Sequence, residues 1–197
     1  MPITTYEPSA RYSEKILEPK DGGHLEPPGM SEGPFFRVVL FQPEIPQNTG
    51  NIARTCAATH TPLHLIEPLG FHLSDRYLKR AGLDYWPSVS LRVHRDTETF
   101  RRALAPCRCV FFSAHARRSF YDFEFETGDC LCFGSETTGL PISLLKGEEQ
   151  HTVNIPIDRS RVRSLNLSTT VGVALFEAIR QRMVRESNLP PHSCAGV

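Results

Sequence analysis

The stretch Phe36-Arg-Val-Val-Leu-Phe-Gln-Pro-Glu-Ile-Pro-Gln-Asn-Thr-Gly-Asn-Ile-Ala-Arg54 passes from an apolar run, through a Pro-containing turn, into a segment that opens on Asn, Thr and Gly. The apolar run reads as a buried strand near 36–41, and Asn48 with the spaced apolar positions after it reads as a capped helix from about 48–60. The same handover from strand to helix recurs twice. Phe133-Gly-Ser-Glu-Thr-Thr-Gly-Leu-Pro141 follows the apolar Cys130-Leu-Cys-Phe133, and Ser164-Leu-Asn-Leu-Ser168 opens an apolar helix downstream of Asn154-Ile-Pro-Ile-Asp158, which ends a strand.

Working outward, further strands are predicted near 63–66, 89–93, 109–113, 130–133 and 152–155, with helices near 74–81, 96–105 and 166–185. Strands taking turns with helices predict an α/β fold, a mostly parallel sheet flanked by helices. Ligands of such sheets bind at the carboxyl ends of the strands, where the three polar handovers fall. No repeat interrupts this pattern, so 35–186 is expected to be one domain. In the last helix Val171, Leu175, Ile179 and Met183 recur at helical spacing, a stripe suited to core packing or to a subunit interface.

The chain has 197 residues, 22 basic and 22 acidic, so no global field marks it as a nucleic-acid binder. The balance hides an asymmetry. Arg11, Lys15 and Lys20 face six acidic residues (Glu7, Glu14, Glu18, Asp21, Glu26 and Glu32), which leaves 1–34 acidic and the body mildly basic. This first segment is rich in Pro and Gly without apolar period and is expected to be a disordered tail, as is 187–197. It lacks the apolar core of a secretory signal and the Arg-rich, acid-poor character of a transit peptide, and no run approaches the ~18 apolar residues of a membrane span. A cytoplasmic protein without membrane partner is the expectation. The two Cys-x-Cys pairs, Cys107 with Cys109 and Cys130 with Cys132, do not have the usual zinc spacing, and they are expected to be buried, inert thiols rather than a metal site.

Each handover carries candidate chemistry beside a plain structural use. With a helix starting near Thr49, Asn48 and Asn51 share one face and Arg54 projects from the adjoining one, in the second turn. A cation there is poorly placed for the helix dipole, so phosphate or ribose oxygens give it a reason. In the second segment Gly134 would allow close approach of a ligand, Gly139 would supply a positive-φ turn, and Pro141 would open a helix. Glu136 between them could accept hydrogen bonds from turn amides or from a ligand. The spacing matches neither a G-x-G-x-x-G nor a Walker loop. In the third, Ser164, Asn166 and Ser168 exceed what one helix cap requires, and Arg159, Arg161 and Arg163 make the preceding loop basic, as phosphate contacts would want.

The run from Leu40 to Arg54, together with Ile66-Glu-Pro-Leu-Gly-Phe71, Arg80-Ala-Gly-Leu-Asp-Tyr85, Phe133-Gly-Ser-Glu136 and Ser164-Leu-Asn-Leu-Ser168, closely resembles the SPOUT superfamily of RNA methyltransferases. Within it the chain is most similar to the tRNA (cytidine(34)-2′-O)-methyltransferase family, which modifies the wobble ribose of leucine tRNAs. The resemblance implies a C-terminal trefoil knot, a homodimer that shares its active sites, S-adenosyl-L-methionine as cofactor, and the tRNA anticodon stem-loop as partner. By position it implies cofactor contacts from Phe112, Ser113, Gly134, Glu136, Ile155, Ile157, Ser164 and Leu165. Arg54 matches the family's catalytic arginine, and Asn166 and Ser168 match its third motif, while Asn48, Asn51, Arg161 and Arg163 stand as substrate-binding candidates. A guanidinium gives up its proton only at high cost and makes a poor general base, so Arg54 is better assigned to orienting the ribose and stabilising the developing alkoxide. The alternatives are a ribose methyltransferase acting on rRNA or another tRNA position, and a non-catalytic RNA-binding dimer.

Overall fold

Alternation along the strands builds two separate apolar layers on the two faces of one sheet. The computed structural model describes residues 35–73 and 85–187, and within them seven parallel strands form a single sheet. In chain order these are β1 (Arg37–Phe41), β2 (Leu63–Ile66), β3 (Leu91–His94), β4 (Cys109–Phe112), β5 (Arg118–Ser119), β6 (Cys130–Phe133) and β7 (Thr152–Asn154), arranged β3-β2-β1-β6-β4-β7-β5. The α-helices among the described residues are α1 (Pro46–Ala58), α2 (Thr97–Leu104), α3 (Ile142–Leu145) and α4 (Leu167–Ser187). The mostly parallel sheet flanked by helices is the architecture predicted from sequence. The helix expected near 74–81 and both terminal tails lie outside the described residues.

One face carries Val38, Leu40, Leu63, Leu65, Val110, Phe112, Leu131 and Phe133, and packs on Ile52, Ala53 and Cys56 of α1 and on Val171, Ala174, Leu175 and Ala178 of α4. The residues between them, Val39, Ile66, Phe111, Cys130 and Cys132, point the other way onto Phe100 and Leu104 of α2 and Leu145 of α3. Near-continuous apolar strands are what a parallel sheet covered on both faces demands.

α4 has apolar residues on opposite sides. Val171 and Leu175 are fully buried, yet Val173, Phe176, Met183 and Val184 are 38%, 57%, 61% and 48% exposed and share the face turned away from the core. The predicted stripe therefore splits, with Val171 and Leu175 in the core and Met183 outside it.

The second face holds two unexpected polar features. His64 and His94, from neighbouring strands, lie with Nδ1 and Nε2 2.9 Å apart and their rings stacked, both against the edge of Phe100. Burial, then His94, Arg92 and Arg37, lowers the His64 pKa to about 3, and burial followed by Arg92 lowers that of His94. The expectation of inert thiols needs correction. Cys107 and Cys130 form a disulfide, because the loop entering β4 runs beside the start of β6, whereas Cys56, Cys109 and Cys132 are free. Beside the disulfide, Arg108 grips the buried Asp129 with two bonds of 2.8 Å and reaches Glu126 at 2.9 Å.

Candidate active site

Strands β1, β6, β4 and β7 are adjacent and parallel, so the segments leaving their carboxyl ends emerge side by side. α1 leaves β1 through Gln42-Pro-Glu-Ile45 and begins at Pro46, two residues earlier than the sequence suggests. Pro at the first helical position suits a fixed φ and needs no amide partner, but Ile45 at the cap has no side chain able to accept a hydrogen bond.

The missing cap comes from another part of the chain. Glu136, in the turn after β6, accepts the backbone amides of Glu44 at 2.8 Å and Ile45 at 3.2 Å and the side-chain amide of Asn48 at 2.9 Å. A carboxylate at the amino end of a helix also meets the positive end of its dipole. Thr137 adds a bond to the Glu44 carboxylate at 2.6 Å, so two consecutive residues of this turn hold the start of α1.

Asn48 continues the connection. Its Oδ1 accepts from Nδ2 of Asn166 at 2.9 Å, and Asn166 Oδ1 accepts the amide of Ser168 at 2.9 Å, its hydroxyl at 2.7 Å and the amide of Thr169 at 3.4 Å. Asn166 is thus the cap of α4, and its remaining amide reaches back to α1. Glu136, Asn48 and Asn166 form one chain of hydrogen bonds through the three segments singled out in the sequence. This placement engages the side chains of Asn48, Asn166 and Ser168, and Asn48 is only 5% exposed. Asn51 is exposed, so the two asparagines expected on one helix face occupy different surroundings.

Gly134 has a structural reason besides the close ligand approach expected of it. A Cβ there would lie 1.9 Å from the Gly139 carbonyl carbon and 2.1 Å from the Leu140 nitrogen, so its bareness lets the turn close on itself. The turn is pinned by a Ser135–Gly139 bridge and by Ser135 Oγ, which receives the Thr138 amide at 3.2 Å and lies 2.8 Å from the Thr138 hydroxyl. Gly139 takes φ +69°, as anticipated, ahead of Pro141 and α3.

Arg54 is exposed in the third turn of α1, not the second, because the helix starts earlier. Its guanidinium carbon lies 5.3 Å from the centre of the Tyr85 ring, and the Tyr85 hydroxyl donates to the Gly50 carbonyl at 2.8 Å. Tyr85 ends one of the quoted family segments but was not given a role from sequence. Its contact with Arg54 depends on how β3 is reached, which periodicity does not reveal.

The other candidates lie along the same edge. Phe112 ends β4, and Ser113 follows it with its amide on the Val153 carbonyl of β7 at 2.9 Å. Ile155, Ile157 and Leu165 are half-buried, while Ser164, Arg161 and Arg163 are exposed. Asp158 organises the loop between β7 and α4: its Oδ1 accepts the Ser160 hydroxyl at 2.6 Å and amide at 3.0 Å, which holds its carboxyl below the ordinary range. Arg161 stands 3.9 Å from the Asp158 carboxylate, an exposed and weak pair that leaves the guanidinium largely free. No group of three or more His, Cys, Asp or Glu suited to a metal occurs among the described residues.

Comparison with known proteins follows the same segments. A profile of the SpoU rRNA Methylase family matches residues 35–176. The tRNA (cytidine(34)-2'-O)-methyltransferase of Burkholderia cenocepacia is 50% identical over 150 residues, covering 75% of this chain and 96% of that protein. A solved structure reported as giving structural insights into the 2-OH methylation of C/U34 on tRNA is 52% identical, with a TM-score of 0.72 over 76% of this chain and 97% of that one. The SpoU methyltransferase AviRb from Streptomyces viridochromogenes, solved in complex with the cofactor AdoMet, is 27% identical, with a TM-score of 0.64 over 78% of this chain and 60% of that one. The match takes in every strand of the sheet and all three of the segments that Glu136, Asn48 and Asn166 join, and the chain belongs to the SpoU rRNA Methylase family.

Proposed function

We propose that the chain is a methyltransferase that uses S-adenosyl-L-methionine to 2′-O-methylate the ribose of nucleotide 34 in tRNA, a cytidine or modified uridine at the wobble position of leucine tRNAs. The observation that carries this is the hydrogen-bonded union of the family's three segments at one sheet edge, with Arg54 exposed on the helix that the union anchors. Close relatives named for this reaction, matched over nearly their whole length, support the same reading.

The residues at the edge suit the proposed cofactor. Half-buried Ile155, Ile157 and Leu165 offer apolar surface to a flat purine, and the chain leaving Phe112, Ser113, Gly134 and Glu136 brings backbone polar groups to the same edge. Glu136 would act there mainly through its backbone, because its carboxylate is engaged by α1. Asn166 and Ser168 would frame the site as the rigid start of α4. S-adenosyl-L-methionine supplies an electrophilic methyl group when bound. Arg54 would hold the ribose in line and stabilise negative charge on its 2′-oxygen as the hydroxyl proton leaves. Exposed Arg161, Arg163 and Asn51 would meet the anticodon stem-loop. The apolar outer face of α4, with Val173, Phe176 and Met183, suits a homodimer interface, and the cytoplasm, where tRNA is found, is the matching location.

The test is methyl transfer from labelled S-adenosyl-L-methionine to purified tRNA pools, with the product nucleotide mapped by mass spectrometry. A 2′-O-methyl group at position 34, formed on the order of a hundredfold more slowly by Arg54→Ala while cofactor affinity is retained, is the expected result. A product only in ribosomal RNA, or RNA binding without methyl transfer, would overturn the reading.

A further inference from the structure

Arg54 has no carboxylate partner among the described residues, and its guanidinium lies over an aromatic face. A salt bridge would occupy guanidinium N–H donors and offset their charge. An aromatic face attracts the cation without itself accepting a conventional hydrogen bond, so the N–H donors stay available to another group. Tyr85 also acts on the backbone of the same residue. Its hydroxyl donates to the Gly50 carbonyl at 2.8 Å, and in an α-helix that carbonyl receives the amide of the residue four positions on, which is Arg54.

The ring has its own support. The Tyr85 carbonyl accepts the Ser88 amide at 2.9 Å in the short 3₁₀ turn Trp86–Ser88, and Val89, which follows, is buried at 2% exposure shortly before β3. Tyr85 also packs against the main core. The exposed end of Arg54 is therefore referred to the sheet through Tyr85 and not only through its own flexible side chain.

We propose that Tyr85 is a positioning residue for Arg54, holding the guanidinium over its ring with its N–H donors free for the ribose and phosphate of the substrate. The inference rests on the reading of Arg54 as the group that stabilises the reacting oxygen. It identifies a hold that leaves intact the charge catalysis needs.

The experiment compares native protein with Tyr85→Phe, Tyr85→Leu, Arg54→Ala and the double variant Tyr85→Leu/Arg54→Ala. It measures single-turnover methyl transfer to leucine tRNA at saturating cofactor, cofactor affinity by calorimetry, and Tm. Loss of ring and hydroxyl together should lower the rate about tenfold in Tyr85→Leu, and Tyr85→Phe, which keeps the ring, should lose no more than about threefold. Cofactor affinity should stay unchanged. In the Arg54→Ala background the Tyr85→Leu change should cost nothing further, since it acts through the missing side chain. A native rate in Tyr85→Leu, an equal loss in both backgrounds, or a rate that recovers on cooling in step with Tm would overturn the proposal. A native rate in Arg54→Ala would instead refute the role of Arg54 itself, an outcome read from that variant alone.

Discussion

Glu136→Ala removes the acceptor of three hydrogen bonds at once, and the consequences differ by donor. The Ile45 amide belongs to a residue 42% exposed, so water can replace its partner, and the Glu44 amide lies next to it. Loss of this cap at α1 is expected to cost about 1 kcal/mol. The Asn48 side-chain amide is different: the residue is 5% exposed, and an unpaired buried donor costs about 1–2 kcal/mol more. The sum is about 2–3 kcal/mol, which for a chain of this size lowers Tm by roughly 5–10 °C. Urea unfolding should show a lower midpoint with an unchanged slope. Glu136→Gln keeps an acceptor but turns an NH₂ toward donors, so it should lose about half as much. A double-mutant cycle with Asn48→Ala should show coupling, because each substitution removes the same bond. Stability of Glu136→Ala within about 0.5 kcal/mol of native, or strict additivity with Asn48→Ala, would refute the assignment of Glu136 as the cap of α1.

Two further predictions concern the rest of the fold. His64 and His94 are held neutral when folded, with pKa values below that of a free imidazole, so the unfolded chain binds more protons on acidification. Stability from this pair is complete above about pH 6.5 and is lost as pH falls towards the folded values, by up to about 1.4 kcal/mol per pH unit for each ring. Urea midpoints measured from about pH 7 to about pH 5 should fall, and a His64→Leu/His94→Phe variant should show a flatter dependence. Arg108→Ala should cost about 3–5 kcal/mol by leaving the buried Asp129 carboxylate unpaired. Arg102→Ala, which breaks an exposed pair with Glu98, should cost under about 0.5 kcal/mol in the same denaturation assay.

Where chain-local physics sets an element, the sequence was a good guide. Leu63–Ile66 and Cys130–Phe133 are strands over the residues expected, because Pro62 and Glu67-Pro68 bound one and Asp129 and Gly134 bound the other. The start of α1 was misplaced because its cap lies about ninety residues downstream, and a local search for Ser, Thr, Asp or Asn settles on Asn48 instead. The two-residue β5 has no apolar run to announce it and exists through pairing with β7. The residues of the site were legible one by one through their resemblance to a family. Their connections were not, since the partners of Asn48 are set by the order β1-β6-β4-β7 in the sheet. The Cys107–Cys130 disulfide was hidden for the same reason, as β4 and β6 must first lie side by side.

The links from Glu136 to Asn48 and from Asn48 to Asn166 span 88 and 118 residues of chain. A ribosome releases the first of these partners long before the last, and loop closure over such separations comes late in folding. Until Asn166 has left the exit tunnel, the first helix can gain its cap but the junction has only two of its three members. Truncation just before the final helix would abolish the junction and uncover the sheet face that Val171, Ala174, Leu175 and Ala178 cover, so the site is assembled only with the whole domain.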